Sequence, residues 1–366
     1  MAGPRVVLTM IVRDEALVIE RCLTAIAPLV DAWCIVDTGS TDDTASVITR
    51  VMANVPGELH HAPWQDFAHN RTQALDLARP LGDYSIMIDA DVECVVDDDS
   101  DPAAIRSALT ADVHPVVIDD GGIVYQRMQI SSTHLPFRYR GVLHEFLEAP
   151  DGAQQGPVIA GLRFVSHFDG ARSRNPTKYL DDAELLRAAL ASPDDPDLEA
   201  RYTFYLANSL RDAGVVDEAA DAYLQRTAME GWAEETYQAW LWFARMRHRS
   251  AGPTAEVFDA LARAHDVVPT RAEACCDAAT YARMAGRMPT AALWSARAMA
   301  ITRPESSLFL EPDVYQWRSL YEYSIAAWYV GDIEGGKAAC QRLLDDGVLP
   351  GRERSAVIDN LAFYQS

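Results

Sequence analysis

The chain has 366 residues, 49% of them apolar and 23% charged, and a formal net charge of −22. That length exceeds one ordinary core and suits two domains of about 150–200 residues each, and the composition excludes a largely disordered chain. The acidic excess repels a phosphate backbone, so no nucleic-acid partner is expected, although a divalent cation between carboxylates lets such a surface take an anionic diphosphate. No run of 18 apolar residues is present, so no membrane span is expected. Arg13-Asp14-Glu15 interrupts the first apolar run too early for a signal peptide, and the expected location is the cytoplasm. The six cysteines form no C-x-x-C pair and have mostly apolar neighbours, which reads as buried free thiols in a reducing compartment.

Residues 6–12 form a short apolar run, the pattern of a strand buried on both faces. Helical spacing follows over 14–29 through Leu17, Ile19, Leu23 and Ile26. A second strand, 33–36, closes on Asp37-Thr38-Gly39-Ser40, and Thr41-Asp42-Asp43-Thr44 begins a helix over 44–53. A short strand at 59–62, a helix over 66–79 and a strand over 84–88 come next, the last ending at Asp89-Ala90-Asp91. This alternation predicts a parallel sheet with helices on both faces and a ligand site beyond the carboxyl ends of its strands. Three of those ends carry acids: Glu15, Asp37, and Asp89 with Asp91. The run 97–101 reads as a solvated turn or a helix start. Residues 113–168 are β-rich, with strands predicted at 115–118, 123–130, 143–147 and 158–168 and a turn at Gly121-Gly122.

A connector over 171–196 holds one helix, roughly 176–191. The remainder, 197–366, is helical with a weak internal repeat. Gly214, Gly286 and Gly331 each precede a pair of small residues that lets the next helix pack closely: Ala219-Ala220, Ala291-Ala292, and Gly336 with Cys340. Ala207, Ala244, Ala282 and Ala327 supply small contacts on the first helices, and Pro269 and Pro304 fall between hairpins. The pattern is tetratricopeptide-like, with a plain helical bundle as the simpler alternative.

The segments MIVRDE (10–15), IVDTGSTDDT (35–44), HAPWQDFAHNRTQAL (61–75) and IDAD (88–91) together resemble the inverting GT-A glycosyltransferases of the family-2 type. The similarity is to the subgroup fused to tetratricopeptide repeats, where regions like FRYRGVLHE (137–145) and VSHFDG (165–170) follow. The resemblance implies a Rossmann-like α/β GT-A nucleotide-diphospho-sugar transferase domain over 1–170, ahead of the all-α repeat domain. It implies a hexosyl transfer from a nucleotide sugar, in the first place a UDP-sugar, to a peptide, natural-product or glycan acceptor. Two departures stand out: Asp14 replaces the family's usual asparagine, and Val92-Glu93 follow the D-x-D where an acid often comes directly.

The resemblance places nucleoside and donor binding at Ile11, Arg13, Glu15, Asp37, Gly39, Arg71, Asp89 and Ala90, and implies His167 as a late metal ligand. By residue chemistry, Asp37 can accept a hydrogen bond from a base or ribose, or simply cap its turn, and Gly39 lets a backbone approach the ligand. Arg71 can reach the donor or form an ordinary ion pair. Trp64 is a pocket wall or core. If 89–91 is extended, both carboxylates point the same way, with Asp91 the ligand for Mn2+ or Mg2+ and Asp89 on ribose or a metal-bound water. Glu145 is the expected base for the acceptor, with His144 its competitor or orienting partner, and Arg138 and Arg140 assist the diphosphate or decorate a strand. A repeat-based binding scaffold with an inactive transferase half is the alternative. A nucleotidyltransferase is disfavoured because residues 1–40 hold no glycine-rich basic loop. The repeats suggest a protein or peptide partner through a concave helical groove, or a homodimer contact; Trp232, Trp240 and Trp242 either line that groove or, as their helical spacing favours, pack in the interior.

Overall fold

The computed structural model describes residues 3–121, 123–191, 195–305 and 308–365. It divides into two compact units, Met1–Ala191 and Ser192–Ser366.

The first unit runs β1 (Val6–Val12), α1 (Ile19–Ile26), β2 (Ala32–Asp37), α2 (Thr44–Val51), β3 (Gly57–His61), α3 (Phe67–Ala78) and β4 (Tyr84–Met87). It continues with β5 (Val92–Val96), α4 (Pro102–Ser107), β6 (Val113–Asp120), β7 (Ile123–Ser132), β8 (Arg138–Arg140), β9 (Phe146–Glu148), β10 (Leu162–Ser166), α5 (Ala171–Arg174) and α6 (Lys178–Ala191). Eight strands form one sheet in the order β3-β2-β1-β4-β7-β6-β10-β5, while β8 and β9 pair separately.

Strand β1 sits centrally, parallel to β2 and β4. Its residues are apolar on both sides because both faces are covered. Val6, Leu8, Met10 and Val12 join the core that holds Ile19, Leu23 and Ile26 of α1. Val7, on the opposite face, packs with Cys34 and with Ala78 of α3. The buried Thr9 hydroxyl is satisfied across the sheet by the Ser85 hydroxyl at 2.6 Å and the Ile86 carbonyl at 3.0 Å.

Several expectations need correction. The sheet is mixed rather than parallel throughout: β7 runs antiparallel to β4 and β6, and β5 antiparallel to β10. The sequence reading omitted β5, an edge strand whose pairing partner lies about seventy residues away in the chain. The first helix begins at Ile19 rather than residue 14, because Asp14 takes a left-handed φ of 56° and the next N–H groups bond side chains of the following motif. The strands expected at 143–147 and 158–168 shrink to β9 and β10. Gly121 has the positive φ of a turn, 65°; Gly122 lies outside the described residues. The acidic run ends as a helix start, with the Asp101 carboxylate accepting the Ala103 N–H.

The second unit is a stack of helical hairpins of tetratricopeptide-like form: α7 (Glu199–Asp212) with α8 (Val216–Thr227), α9 (Ala233–Arg249) with α10 (Thr254–Val267), α11 (Glu273–Met284) with α12 (Met288–Met299), and α13 (Ser319–Tyr329) with α14 (Ile333–Asp345), closed by α15 (Gly351–Phe363). Gly214, Gly286 and Gly331 take φ values of 79°, 71° and 77° in three of the hairpin turns. In the fourth, the left-handed position falls on Ala251, at 54°, rather than on its neighbour Gly252. Ala207, Ala244, Ala282 and Ala327 are fully buried. All six cysteines are buried and free. No helix among the described residues is long and apolar enough to cross a membrane.

Candidate functional site

Parallel pairing of β1, β2 and β4 brings their carboxyl ends to one rim, so segments 13–15, 37–44 and 88–91 meet there. The first two are stitched together. The Asp14 carboxylate accepts the Thr41 N–H at 2.7 Å, the Asp14 N–H reaches the Ser40 hydroxyl at 3.0 Å, and the Glu15 N–H reaches the Thr44 hydroxyl at 2.8 Å. Asp14, the departure from the usual asparagine, thus serves as an acceptor in a loop-to-loop clamp.

Asp37 is buried, and its Oδ1 accepts the N–H groups of Gly39 at 2.9 Å and Ser40 at 2.7 Å. The turn-capping role is therefore real, and only Oδ2, 3.9 Å from His61 Nδ1, remains for a ligand. Gly39 has φ 113° with nothing within 4 Å of where a side chain would begin. The turn therefore requires glycine and leaves space beside it. Ile11 is paired inside the sheet opposite Val36, Arg13 is exposed, and Ala90 is buried in the core, so Ala90 can offer a ligand only its backbone.

Residues 88–91 have left the strand and form a turn, so alternation does not orient the two aspartates. Asp89 instead pairs with Arg71, whose NH2 lies 2.6 Å from Oδ1. Arg71 is buried on α3, and its Nε approaches Glu145 Oε1 at 2.8 Å. That second approach is an ion pair without hydrogen-bond alignment, because the Nε–H points elsewhere. Arg71 therefore bridges the D-x-D to the expected base. Arg127 of β7, 3.9 Å from Asp89, adds a second cation and is steadied by the Gln129 amide oxygen at 2.6 Å once that amide is oriented to accept. Burial pushes the Asp89 carboxyl up, but Arg71 and Arg127 outweigh it and hold it below the ordinary range.

At Asp91 and Glu15 burial prevails, since neither carboxylate is held in an ion pair. Burial raises Asp91, and the charge of Asp89 raises it further. Burial lifts Glu15 to about 7, with Asp91 and Asp89 adding to the rise and the Ala171 N–H, donating to Oε2 at 3.0 Å, opposing it. The loop 166–171 closes over this pair. Gly170 packs so tightly on Asp91 that a Cβ there would lie 2.9 Å from its carboxylate. Asp169 holds Arg21 through both oxygens, at 2.7 and 2.9 Å. His167 donates its backbone N–H to the Asp91 carbonyl at 3.2 Å, while its Nε2 is 2.9 Å from Glu93 Oε2. One ring nitrogen of the expected metal ligand is therefore engaged by Glu93, the acid that follows the D-x-D late. Arg21, Arg127 and Asp169 escaped the sequence reading, and Glu93 entered it only as a departure from the usual motif. Only the aspartate-glycine of VSHFDG hinted at one of them, since the others meet the site through tertiary pairing.

His144 is exposed with φ 52°, and Glu145 beside it is largely buried. Arg138 and Arg140 of β8 both pair with Glu148, the first exposed and the second largely buried. Trp64 is half-buried against Phe67, ring centroids 4.7 Å apart. A cavity of about 520 Å3 lies against α3, lined by Thr72, Gln73, Arg138 and Tyr139 among others, and does not include the strand-end carboxylates.

Among the described residues no three His, Cys, Asp or Glu side chains are grouped to hold a metal by themselves. The donor set still fits a hard divalent cation. Glu15 and Asp91 present carboxylate oxygens that no arginine engages in an ion pair, although Arg174 acts on Glu15 and Arg21 on Asp91 at longer range, and an ion that also takes ligand phosphates and water needs few protein ligands.

No family model matches the chain. A TPR repeat-containing protein of Synechococcus elongatus is 39% identical over 97 residues, covering 26% of this chain and 23% of the relative. The chain thus spans about a quarter of the length of that curated relative. Similar solved structures include MamA, with a TM-score of 0.37 and 14% identity over 49% of this chain and 91% of that one. A tetratricopeptide repeat protein from Parabacteroides merdae has a TM-score of 0.39 and 15% identity over 51% of this chain and 67% of that one.

Proposed function

We propose that the first unit is a metal-assisted, inverting glycosyltransferase acting on a nucleotide-sugar donor, with a UDP-sugar the first choice. The observation that supports this reading is the cluster of Glu15, Asp89 and Asp91 at the carboxyl ends of adjacent parallel strands, of which only Asp89 is held in an ion pair. Asp37 Oδ2 and the open side of Gly39 receive the nucleoside. Asp91 and Glu15 would hold Mn2+ or Mg2+, which would supply Lewis-acid stabilisation of a departing diphosphate. Arg127 faces the same charge. Glu145, oriented by Arg71, takes the proton from the acceptor's attacking group, and attack opposite the leaving group inverts the anomeric carbon. The acceptor is a peptide, natural product or glycan.

The test is a titration calorimetry screen of nucleotide sugars, with and without Mn2+, on wild type and Asp91→Ala. Binding that needs the metal and falls at least about tenfold in Asp91→Ala supports the reading. Equal, metal-independent binding by both proteins contradicts it.

A second reading, a repeat-based binding scaffold without turnover, is favoured by the TPR description of the curated relative and by Arg71, which already engages both Asp89 and Glu145. Donor hydrolysis in the presence of Mn2+ separates the two, since a scaffold releases no sugar.

A further inference from the structure

Helix α15 ends the helical stack by packing on α13 and α14. Its Val357 joins Leu320, Ala339, Cys340 and Leu343 in one apolar core. A cleft of about 460 Å3 lies between α15, α11 and the helical turn Val314–Arg318 that leads into α13. That volume falls in the range of small-molecule pockets, about 300–1,000 Å3. Trp317 and Tyr321 rest against the apolar core and line the cleft half-buried, their rings edge to face with centroids 6.1 Å apart.

The charged groups of the cleft fall into two sets. The first is already paired within the protein. Arg283 of α11 donates to both oxygens of Glu322, at 2.6 and 3.0 Å, and Glu322 also accepts the Thr280 hydroxyl at 3.1 Å. Arg318 is held by Glu311 at 2.8 Å and Asp277 at 3.1 Å. The second set is Arg352 and Glu353, in the first turn of α15. Both line the cleft, and among the described residues neither forms an ion pair or a side-chain hydrogen bond. The Trp317 indole N–H and the Tyr321 hydroxyl are likewise without a partner among the described residues. Burial raises the Tyr321 hydroxyl above its ordinary range, and the charges acting on it include Glu353, which raises it, and Arg352, which lowers it. The uncommitted pair and the aromatic pair thus share one space.

The geometry points to a binding site for a free amino acid with a flat aromatic side chain, in the cleft between α11 and α15. One guanidinium and one carboxylate are uncommitted there, so the ligand that satisfies both carries one group of each sign and no net charge. Its carboxylate takes Arg352, with the Trp317 N–H and the Tyr321 hydroxyl as further donors. Its ammonium takes Glu353. Its ring packs on Trp317 and Tyr321 in offset or edge-to-face contact. An aryl carboxylate without the ammonium brings a like charge to Glu353, and an aryl amine without the carboxylate brings one to Arg352. Arg283 and Arg318 keep their own acids throughout and serve as a fixed wall. This inference does not depend on the activity of the first unit.

Titration calorimetry of the full chain tests it with four probes: L-phenylalanine, phenylpropanoate (no ammonium), phenylethylamine (no carboxylate) and L-alanine (no ring). L-phenylalanine is expected to bind at a single site per chain, and each of the other three at least about tenfold more weakly. Glu353→Gln is expected to weaken L-phenylalanine by a similar factor without weakening phenylpropanoate. Arg352→Gln is expected to weaken L-phenylalanine without weakening phenylethylamine. If either variant fails to fold, as thermal melting reads, the four-probe comparison on wild type decides alone. No saturable binding of L-phenylalanine, L-tyrosine or L-tryptophan up to about 10 mM overturns the inference. So does equal affinity for all four probes, or L-phenylalanine binding unaltered in both variants.

Discussion

Glu15 carries a charge that the folded chain holds at a cost, and removing it tests the charge balance of the rim directly. Its carboxyl is lifted from 4.5 to about 7, first by burial and then by Asp91 and Asp89. The folded state therefore binds the Glu15 proton more tightly than the unfolded chain does. The Glu15 contribution to stability is most favourable below pH 4.5, falls as pH rises between 4.5 and 7, and is lost in full above 7. At about 1.4 kcal/mol per tenfold change, the cost at pH 8 has an upper bound of about 3 kcal/mol, and solvent screening of this partly exposed carboxylate brings it lower. Glu15→Gln keeps an oxygen for the Ala171 N–H and removes the charge. It should stabilise the protein at pH 8 by up to about 3 kcal/mol, or about 6–10 °C in the melting transition of a unit this size, and should change little at pH 4. Scanning calorimetry of the full chain from pH 4 to 8.5 reads this, the transition that moves being that of the first unit. Millimolar Mn2+ at pH 8 should narrow the gap, because the cation relieves wild type more than the variant. Parallel stability profiles for the two proteins across the whole range would refute the reasoning.

Arg71→Met leaves Asp89 and Glu145 without the cation they share. Breaking a buried pair from one side costs on the order of 3 kcal/mol, toward the low end because the Asp89 side chain is 33% exposed. Urea unfolding should show the loss, and Arg71→Lys should recover only part of it, since an ammonium cannot reach both acids as the guanidinium does. In the second unit, a Cβ on Gly336 would lie 2.1 Å from the Tyr364 hydroxyl, which donates to the Ser324 carbonyl at 2.8 Å. Gly336→Ala must push the tyrosine off that bond and should cost about 1–3 kcal/mol by thermal melting.

Much of the architecture was legible in the chain itself. The apolar run 6–12, the acid-bearing ends of the strands near 37 and 89, and glycines 214, 286 and 331 followed by small residues are local signals. A buried strand, a strand end and a left-handed hairpin turn each demand particular residues within a few positions. These signals fixed the alternating first unit and the helical hairpins of the second.

Tertiary structure alone decided the partners. That the sheet turns antiparallel beyond β4 depends on pairings between segments far apart in sequence, which local periodicity does not encode. Arg71 reads as a donor ligand or surface pair until α3 places it between Asp89 and Glu145. Asp91 and Glu15 look like any acids until burial, with no ion pair to offset it, raises both. His167 faces Glu93 only because β10 lies against β5. Coulombic and hydrogen-bonding partners are set by distance in space, and distance in space is what a linear sequence leaves open.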